Sequence, residues 1–376
     1  MDLPYLNSLI GVVVNHRSNR RDFLRLAAGT GLSWPALAAV AGACRSNQPA
    51  AGLADGDLGP LEKNLSLYLW SDYVADDTIP NFEKEFGVRV TVDTYESNEE
   101  MAAKLLTGAS GYDLVLPSSY LFPLIRANGL GFPIVRRYLT NWPNVASLFV
   151  DPNWDRGNAL GVPWAWGVTG IAYRRDLVAE VPDSWGIFLD PRYRGKMTML
   201  DDHRDVIGSF LKFRGRSLNS ADPAELAQAK EDALAAKPNL KAYVSAPVKG
   251  QLVAGDVAIA QLWNGDAVQA MAEQPAIEFV VPKEGSMLFA DALVVLTSAP
   301  HKRAAHEFLN YVLRPEVAAA IADKTGYGTT NQAAIPLTKS KVPLPTAEEL
   351  TRLEYQIDLG ASAEAWDRIW TEIKSG

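Results

Sequence analysis

From residue 65 onward the chain alternates short apolar runs with stretches of helical period. Residues 65–70 form an apolar run that fits a buried parallel strand. Residues 80–86 begin at Pro80 and stop at Gly87, the asymmetry expected of a helix. Residues 88–95 alternate and carry β-branched side chains, which predicts a second strand. Ser97-Asn98-Glu99-Glu100 reads as a capping box opening a helix that runs to Thr107, with Gly108 just beyond its end. Residues 113–116 predict a third strand, ending at Pro117-Ser118-Ser119-Tyr120. The same grammar returns after Pro163. Residues 168–173, 196–200, 257–262 and 277–281 read as strands, and residues 202–214 and 224–236 as helices. A helical run over 301–325 is broken at Pro315, and residues 346–376 read as helical and aromatic. This alternation predicts an α/β fold with mostly parallel sheets flanked by helices.

The 376 residues exceed one comfortable core and suit two lobes. Two α/β lobes have a default ligand position, the cleft between them at the carboxyl ends of strands. Three stretches that pair an aromatic ring with a carboxylate fall at predicted strand ends or the loops after them. They are Trp70-Ser71-Asp72-Tyr73, Trp263-Asn264-Gly265-Asp266 and Phe289-Ala290-Asp291. Ring faces and carboxylates together suit a slim organic cation with an apolar backbone. Each aromatic alone is equally a core residue. The adjacent acids shift the balance, because buried carboxylates are costly without partners. Tyr120 and Tyr327 follow the same logic, with Gly326 also reading as a helix stop.

Asp202 and Asp205 lie in Asp201-Asp202-His203-Arg204-Asp205. They read as a helix N-cap and its first-turn partner, or as acceptors for an ammonium at the cleft. Arg204 is expected to pair with these acids. The net charge of −8 disfavours a nucleic-acid partner and is compatible with a cationic one. Four histidines, His16, His203, His301 and His306, form no metal or catalytic motif, and His301 and His306 read as a solvated helix face. No phosphate loop, dinucleotide fingerprint or nucleophile elbow is present, so neither catalysis nor a cofactor is expected.

Residues 1–43 read as an export signal. Asn19-Arg20-Arg21-Asp22-Phe23-Leu24-Arg25 resembles a twin-arginine motif. A modest apolar run follows, then Ala41-Gly42-Ala43 before Cys44. The run is too short and too broken by Gly29, Gly31 and Pro35 to span a bilayer stably. Cys44, the single cysteine, excludes an internal disulfide and leaves lipid anchoring and free secretion both open, since Ala41 stands where a lipobox usually has Leu. Residues 1–43 hold four Arg and two Asp, so their removal takes the net charge from −8 to −10. Residues 44–62, rich in Ala, Gly and Asp, read as a flexible leader.

At these residues the chain resembles the periplasmic spermidine- and putrescine-binding proteins that serve ABC importers. The likeness runs from about Leu65 to Ala363. Its markers include Tyr68-Leu69-Trp70-Ser71-Asp72-Tyr73, Thr94-Tyr95-Glu96-Ser97-Asn98-Glu99, Tyr112-Asp113-Leu114-Val115-Leu116-Pro117-Ser118-Ser119-Tyr120, Leu262-Trp263-Asn264-Gly265-Asp266 and Gln356-Ile357-Asp358-Leu359-Gly360. The resemblance implies a two-lobed type II binding protein, monomeric, closing on a polyamine and presenting it to a membrane permease. It implies one lobe from 63–167 with about 291–335, and another from 168–290 with about 336–376. Trp70, Tyr73, Tyr120, Trp263, Phe289 and Tyr327 would line the methylene chain. Asp202, Asp205, Asp266 and Asp291 would receive ammonium groups. Ser71, Asp72, Ser118 and Gln356 would complete the polar shell.

Ser71, Asp266 and Phe289 resemble the putrescine type, whereas Tyr120, Asp202 and Gln356 resemble the spermidine type. Asp205 stands where Glu is usual. The acids outnumber what a diamine needs, which leans the expectation toward spermidine with putrescine retained. Two alternatives stay open: a related two-lobed protein for a metal ion or other small solute, and an amine-processing enzyme on the same fold.

Overall fold

The computed structural model describes residues 56–108, 111–245, 248–339 and 344–376. The export segment, with Arg20, Arg21 and Cys44, lies outside the described residues, as does most of the leader. Strands β1 (Asn64–Trp70), β2 (Arg89–Tyr95) and β3 (Leu114–Val115) run parallel, with β1 in the middle. Their apolar side chains converge with those of Leu293, Phe308 and Leu309 in one large core. β2 is an edge strand, and most of its residues are exposed.

β4 (Gly161–Arg174) is buried along its whole length. At ~3.3 Å per residue its 14 residues reach roughly 45 Å, enough to cross from one lobe to the other. Beyond it lie β5 (Met197–Met199), β6 (Leu240–Tyr243), β7 (Ile259–Trp263) and β8 (Ile277–Val280). β5 pairs in parallel with β6 and β7. Two further core clusters gather here, around Trp185, Phe188 and Phe210 and around Leu200, Leu252 and Leu262.

β9 (Met287–Val295) returns antiparallel to β4 and reaches β3. β10 (Gly328–Thr329) and β11 (Glu354–Tyr355) are short additions to β4 and β9. The hydrogen-bonded path is β2-β1-β3-β9-β4-β7-β5-β6. Parallel pairing therefore holds within each βαβ region, and the antiparallel pairs belong to the two long strands that join the lobes. Leu350 and Leu353 pack into the first core, whereas Trp366, Ile369 and Ile373 of the last helix pack into the second.

Local chemistry sets the helix ends. Gly87 (φ 63°) and Gly326 (φ 75°) close the helices Thr78–Phe86 and Pro315–Thr325 in the left-handed conformation that glycine adopts freely. Ser97 caps helix Asn98–Leu106 by accepting from the Glu100 N–H. The second half of the expected box differs: the Glu100 carboxylate accepts from the N–H of Glu96, one residue before the cap.

Three expectations are corrected. His306 is fully buried, not solvated: helix Lys302–Val312 packs it against residues 132–138, where its Nε2 accepts from the Val135 N–H at 3.0 Å. Burial pushes its pKa down to about 4, so it is a neutral core residue at pH 7. His301 instead meets the buried Asp113 carboxylate at 3.0 Å. Residues 346–376 are not uniformly helical, because β11 separates helices Ala347–Leu350 and Ala363–Ser375.

Gly167 of β4 marks a close approach of backbone to side chains. A methyl group there would meet Asn264, Phe289 and Tyr327 at less than contact distance. Gly167→Ala is expected to lose ~1–3 kcal/mol of stability by overpacking. Urea unfolding checks this, and a variant as stable as the parent would show that the crossing strands yield.

Candidate functional site

The cleft between the lobes is built from strand ends and one strand interior. Trp70 ends β1, and Asp72 takes φ 54°, a left-handed conformation that Asp tolerates better than most residues. Trp263 ends β7, and Asp266 sits in the first turn of the following helix, Asn264–Glu273. Asp202 and Asp205 follow β5 at the start of helix His203–Phe213. Phe289 and Asp291 depart from expectation, since they lie inside β9 rather than at a strand end. Phe289 pairs with Gly167 and Asp291 with Ala165, which places both side chains in the middle of the crossover.

All fourteen residues singled out in the sequence line this one cleft: Trp70, Ser71, Asp72, Tyr73, Ser118, Tyr120, Asp202, Asp205, Trp263, Asp266, Phe289, Asp291, Tyr327 and Gln356. Glu96, Asn98, Lys249, Gln269 and Met287 join them without having been singled out. Glu96 and Asn98 belong to a motif read mainly as a helix start. Lys249 and Gln269 carried no local signal at all. The cleft encloses about 780 Å³ of space, open solvent at its mouth included. Among the described residues no group of three or more His, Cys, Asp or Glu is placed to hold a metal ion.

The rings face one another across the gap. Trp70 and Trp263 approach edge to face at 6.1 Å between centroids, and Tyr327 lies 5.0 Å from Tyr73 and 5.8 Å from Phe289. Among these rings stand three acidic stations. In the first, Asp291 accepts from the Tyr73 hydroxyl at 2.5 Å and the Ser118 hydroxyl at 2.7 Å. Burial pushes its pKa up to about 6, against the pull of those two bonds. In the second, Asp205 accepts from Thr169 Oγ1 at 2.6 Å and Trp263 Nε1 at 3.3 Å. Burial first, then the charge of Asp202, pushes its carboxyl well above the usual range.

Asp202 both caps its helix and lines the cleft. Its Oδ1 accepts from the Arg204 and Asp205 N–H groups at 2.8 and 3.0 Å. Arg204 does not pair with these acids as expected. Its guanidinium donates to Ile357 O and Asn219 Oδ1 and lies over the rings of Tyr120 and Trp366. The third station is Asp266 with Asp72, joined by Lys249. Burial raises the Asp266 carboxyl and the Lys249 ammonium holds it down, with a net rise.

Residues 78–346 match the family of bacterial extracellular solute-binding proteins.

The chain belongs to that family.

It is 33% identical over 350 residues to the spermidine/putrescine-binding periplasmic protein of Salmonella typhimurium, covering 91% of this chain and 99% of that one. It is also 33% identical to the putrescine-binding periplasmic protein PotF of Escherichia coli, covering 85% and 94%. Among solved structures it resembles a putative spermidine/putrescine ABC transporter protein from Listeria monocytogenes, with a TM-score of 0.80, 31% identity and coverage of 83% and 99%. The fold is the type II periplasmic-binding-protein fold, a mixed sheet flanked by helices.

The Asp291 carboxyl sets a stability prediction. Its folded pKa, about 6, lies above the ordinary 3.8, so its stabilising contribution is full at low pH and is lost as pH rises through 6. At pH 7.5 ionising it in place costs on the order of 3 kcal/mol. Asp291→Asn is expected to resist urea better than the parent at pH 7.5 and to match it near pH 4. A variant weaker than the parent at pH 7.5 would contradict this.

Proposed function

We propose that this chain is an extracytoplasmic solute-binding protein that captures a polyamine, spermidine or putrescine, in the cleft and delivers it to an ABC permease. The observation that carries the reading is the convergence of six rings and six carboxylates from both lobes on one cleft. The names of its relatives support the same ligand class. Trp70, Tyr73, Tyr120, Trp263, Phe289 and Tyr327 enclose the methylene chain, while Asp202, Asp205 and Asp291 receive ligand ammonium groups and Asp266, which already meets the Lys249 ammonium, stands in reach of another. Ser71, Asp72, Ser118 and Gln356 complete the polar shell.

Magnitudes support it. A cation–π contact contributes about 0.5–2 kcal/mol and a hydrogen bond to a charged group about 1.5–3. Micromolar affinity needs about 8 kcal/mol beyond association costs, which a few contacts of each kind supply. A cation bridging the lobes favours the closed form only through its greater affinity for that form. The lobes are 63–167 with about 291–335 and 168–290 with about 336–376, a division supported by their largely separate cores, although Val168, Val281, Leu288, Ala290, Leu350 and Leu353 pack into the first. The reading includes a monomer with no catalytic role. It also includes export by the twin-arginine-like segment, with Cys44 either lipid-anchored or followed by a free periplasmic chain.

Titration calorimetry on the mature chain at pH 7.5 is expected to give micromolar or tighter binding of putrescine or spermidine and none of neutral amino acids. No polyamine binding below about 1 mM would overturn the reading. Asp291 and Asp205 hold protons more tightly than ordinary carboxyls, and an arriving ammonium favours their ionised forms. Binding is therefore expected to release protons, and affinity to fall roughly tenfold from pH 7.5 to pH 5. Affinity that is flat over this range would show that these two acids do not meet the ligand.

A further inference from the structure

Among the described residues that line the cleft, Lys249 is the single basic side chain. It stands on helix Val248–Ala254 in the second lobe, before β7. Its ammonium lies 3.1 Å from Asp72 Oδ2 in the first lobe and 3.2 Å from Asp266 Oδ1 in the second. It also donates to Gln269 Oε1 at 2.9 Å, and the Gln269 amide is held in turn by Thr325 O at 2.9 Å. Burial pushes the Lys249 pKa down, the carboxylates of Asp266 and Asp72 push it up, and the net is a rise, so the ammonium stays charged. A cation belonging to the protein thus occupies the kind of position that a ligand ammonium would take, between acids of both lobes.

This alters the charge balance of the site. Of the three acidic stations, Asp72 with Asp266 is served from within. Asp291 is met only by hydroxyl groups, and the Asp202–Asp205 station by hydroxyl, indole and backbone donors. Glu96 accepts from the Ser71 hydroxyl at the exposed edge. Among the described residues neither of these two stations makes a direct ion pair, although the Arg204 guanidinium, turned to Ile357 and Asn219, still acts on Asp205 at longer range. Building on the polyamine reading above, we propose that Lys249 is a specificity-determining residue, a tethered ammonium that fills one acidic station so that the cleft selects a diamine over a triamine.

The physical argument is one of like charge. A third ligand ammonium would have to share the Asp72–Asp266 station with Lys249 or displace it, and like charges a few ångströms apart in a partly desolvated site repel strongly. Taking the charge off Lys249 reverses the situation, because it leaves Asp266 buried without a cation and creates a demand that only a longer ligand can meet. The lean toward spermidine drawn from the sequence counted the acids without this lysine.

The test is calorimetry on the mature wild-type chain, Lys249→Met and Lys249→Arg, each titrated with putrescine and with spermidine at pH 7.5. The wild type is expected to bind putrescine at least tenfold more tightly than spermidine. Lys249→Met, which keeps the apolar stem, is expected to shift that ratio at least tenfold toward spermidine. Lys249→Arg, which keeps the charge, should retain the wild-type preference. Lys249→Gln supplies the same comparison should the Met variant not fold. A wild type that prefers spermidine, or a ratio that moves less than tenfold in the uncharged variants while binding persists, would overturn the proposal and leave the polyamine reading standing. A wild type that binds neither amine would overturn both.

Discussion

A carboxylate walled in by aromatic rings is costly to keep ionised unless a cation meets it. The cleft concentrates that cost. Asp205, Asp266 and Asp291 each lie where burial pushes the carboxyl pKa upward, and each is steadied by a different neighbour. Hydroxyl groups of Tyr73 and Ser118 hold Asp291, Thr169 and Trp263 hold Asp205, and Lys249 holds Asp266. Hydroxyls and an indole N–H orient a carboxylate but do not neutralise it. The site is therefore arranged to gain more from a multiply charged amine than from a neutral solute of the same shape.

That arrangement depends on two long strands. β4 is buried from end to end and β9 runs antiparallel along its first half. Asp291 lies near the centre of this pair, bridged to Ser118 of the first lobe, while Thr169 two turns of the pleat further along β4 pairs with Trp263 of the second. A small displacement of one lobe against the other would separate the rings of Trp70 and Trp263 and break the Lys249–Asp72 contact together. The contacts that join the two sides of the cleft thus come from the residues that line it.

Much of this was legible because the informative groupings are local. A ring and an acid two or three residues apart at a strand end, as in Trp70-Ser71-Asp72 or Trp263-Asn264-Gly265-Asp266, can be recognised without knowing the fold. The strand–helix alternation was legible for the same reason. What escaped depends on long-range pairing. Nothing near Phe289 and Asp291 says that their strand runs through the crossover, because that follows from pairing with residues more than a hundred positions earlier. Lys249 sits on a short helix with no chemical motif, so its meeting with Asp72, 177 residues away, leaves no trace in the sequence. Arg204 and His306 were misread for a related reason: their partners, Ile357, Asn219 and Val135, are brought to them by packing rather than by spacing.

The account stands or falls on where the amine nitrogens lie. A crystal structure of the mature protein grown with putrescine tests this most directly. The account requires one ammonium within hydrogen-bond distance of Asp291 and the other at the Asp202–Asp205 station, with the methylene chain between the rings of Trp263 and Phe289. An amine bound outside the cleft, or a cleft that excludes it while binding is measurable in solution, would contradict it.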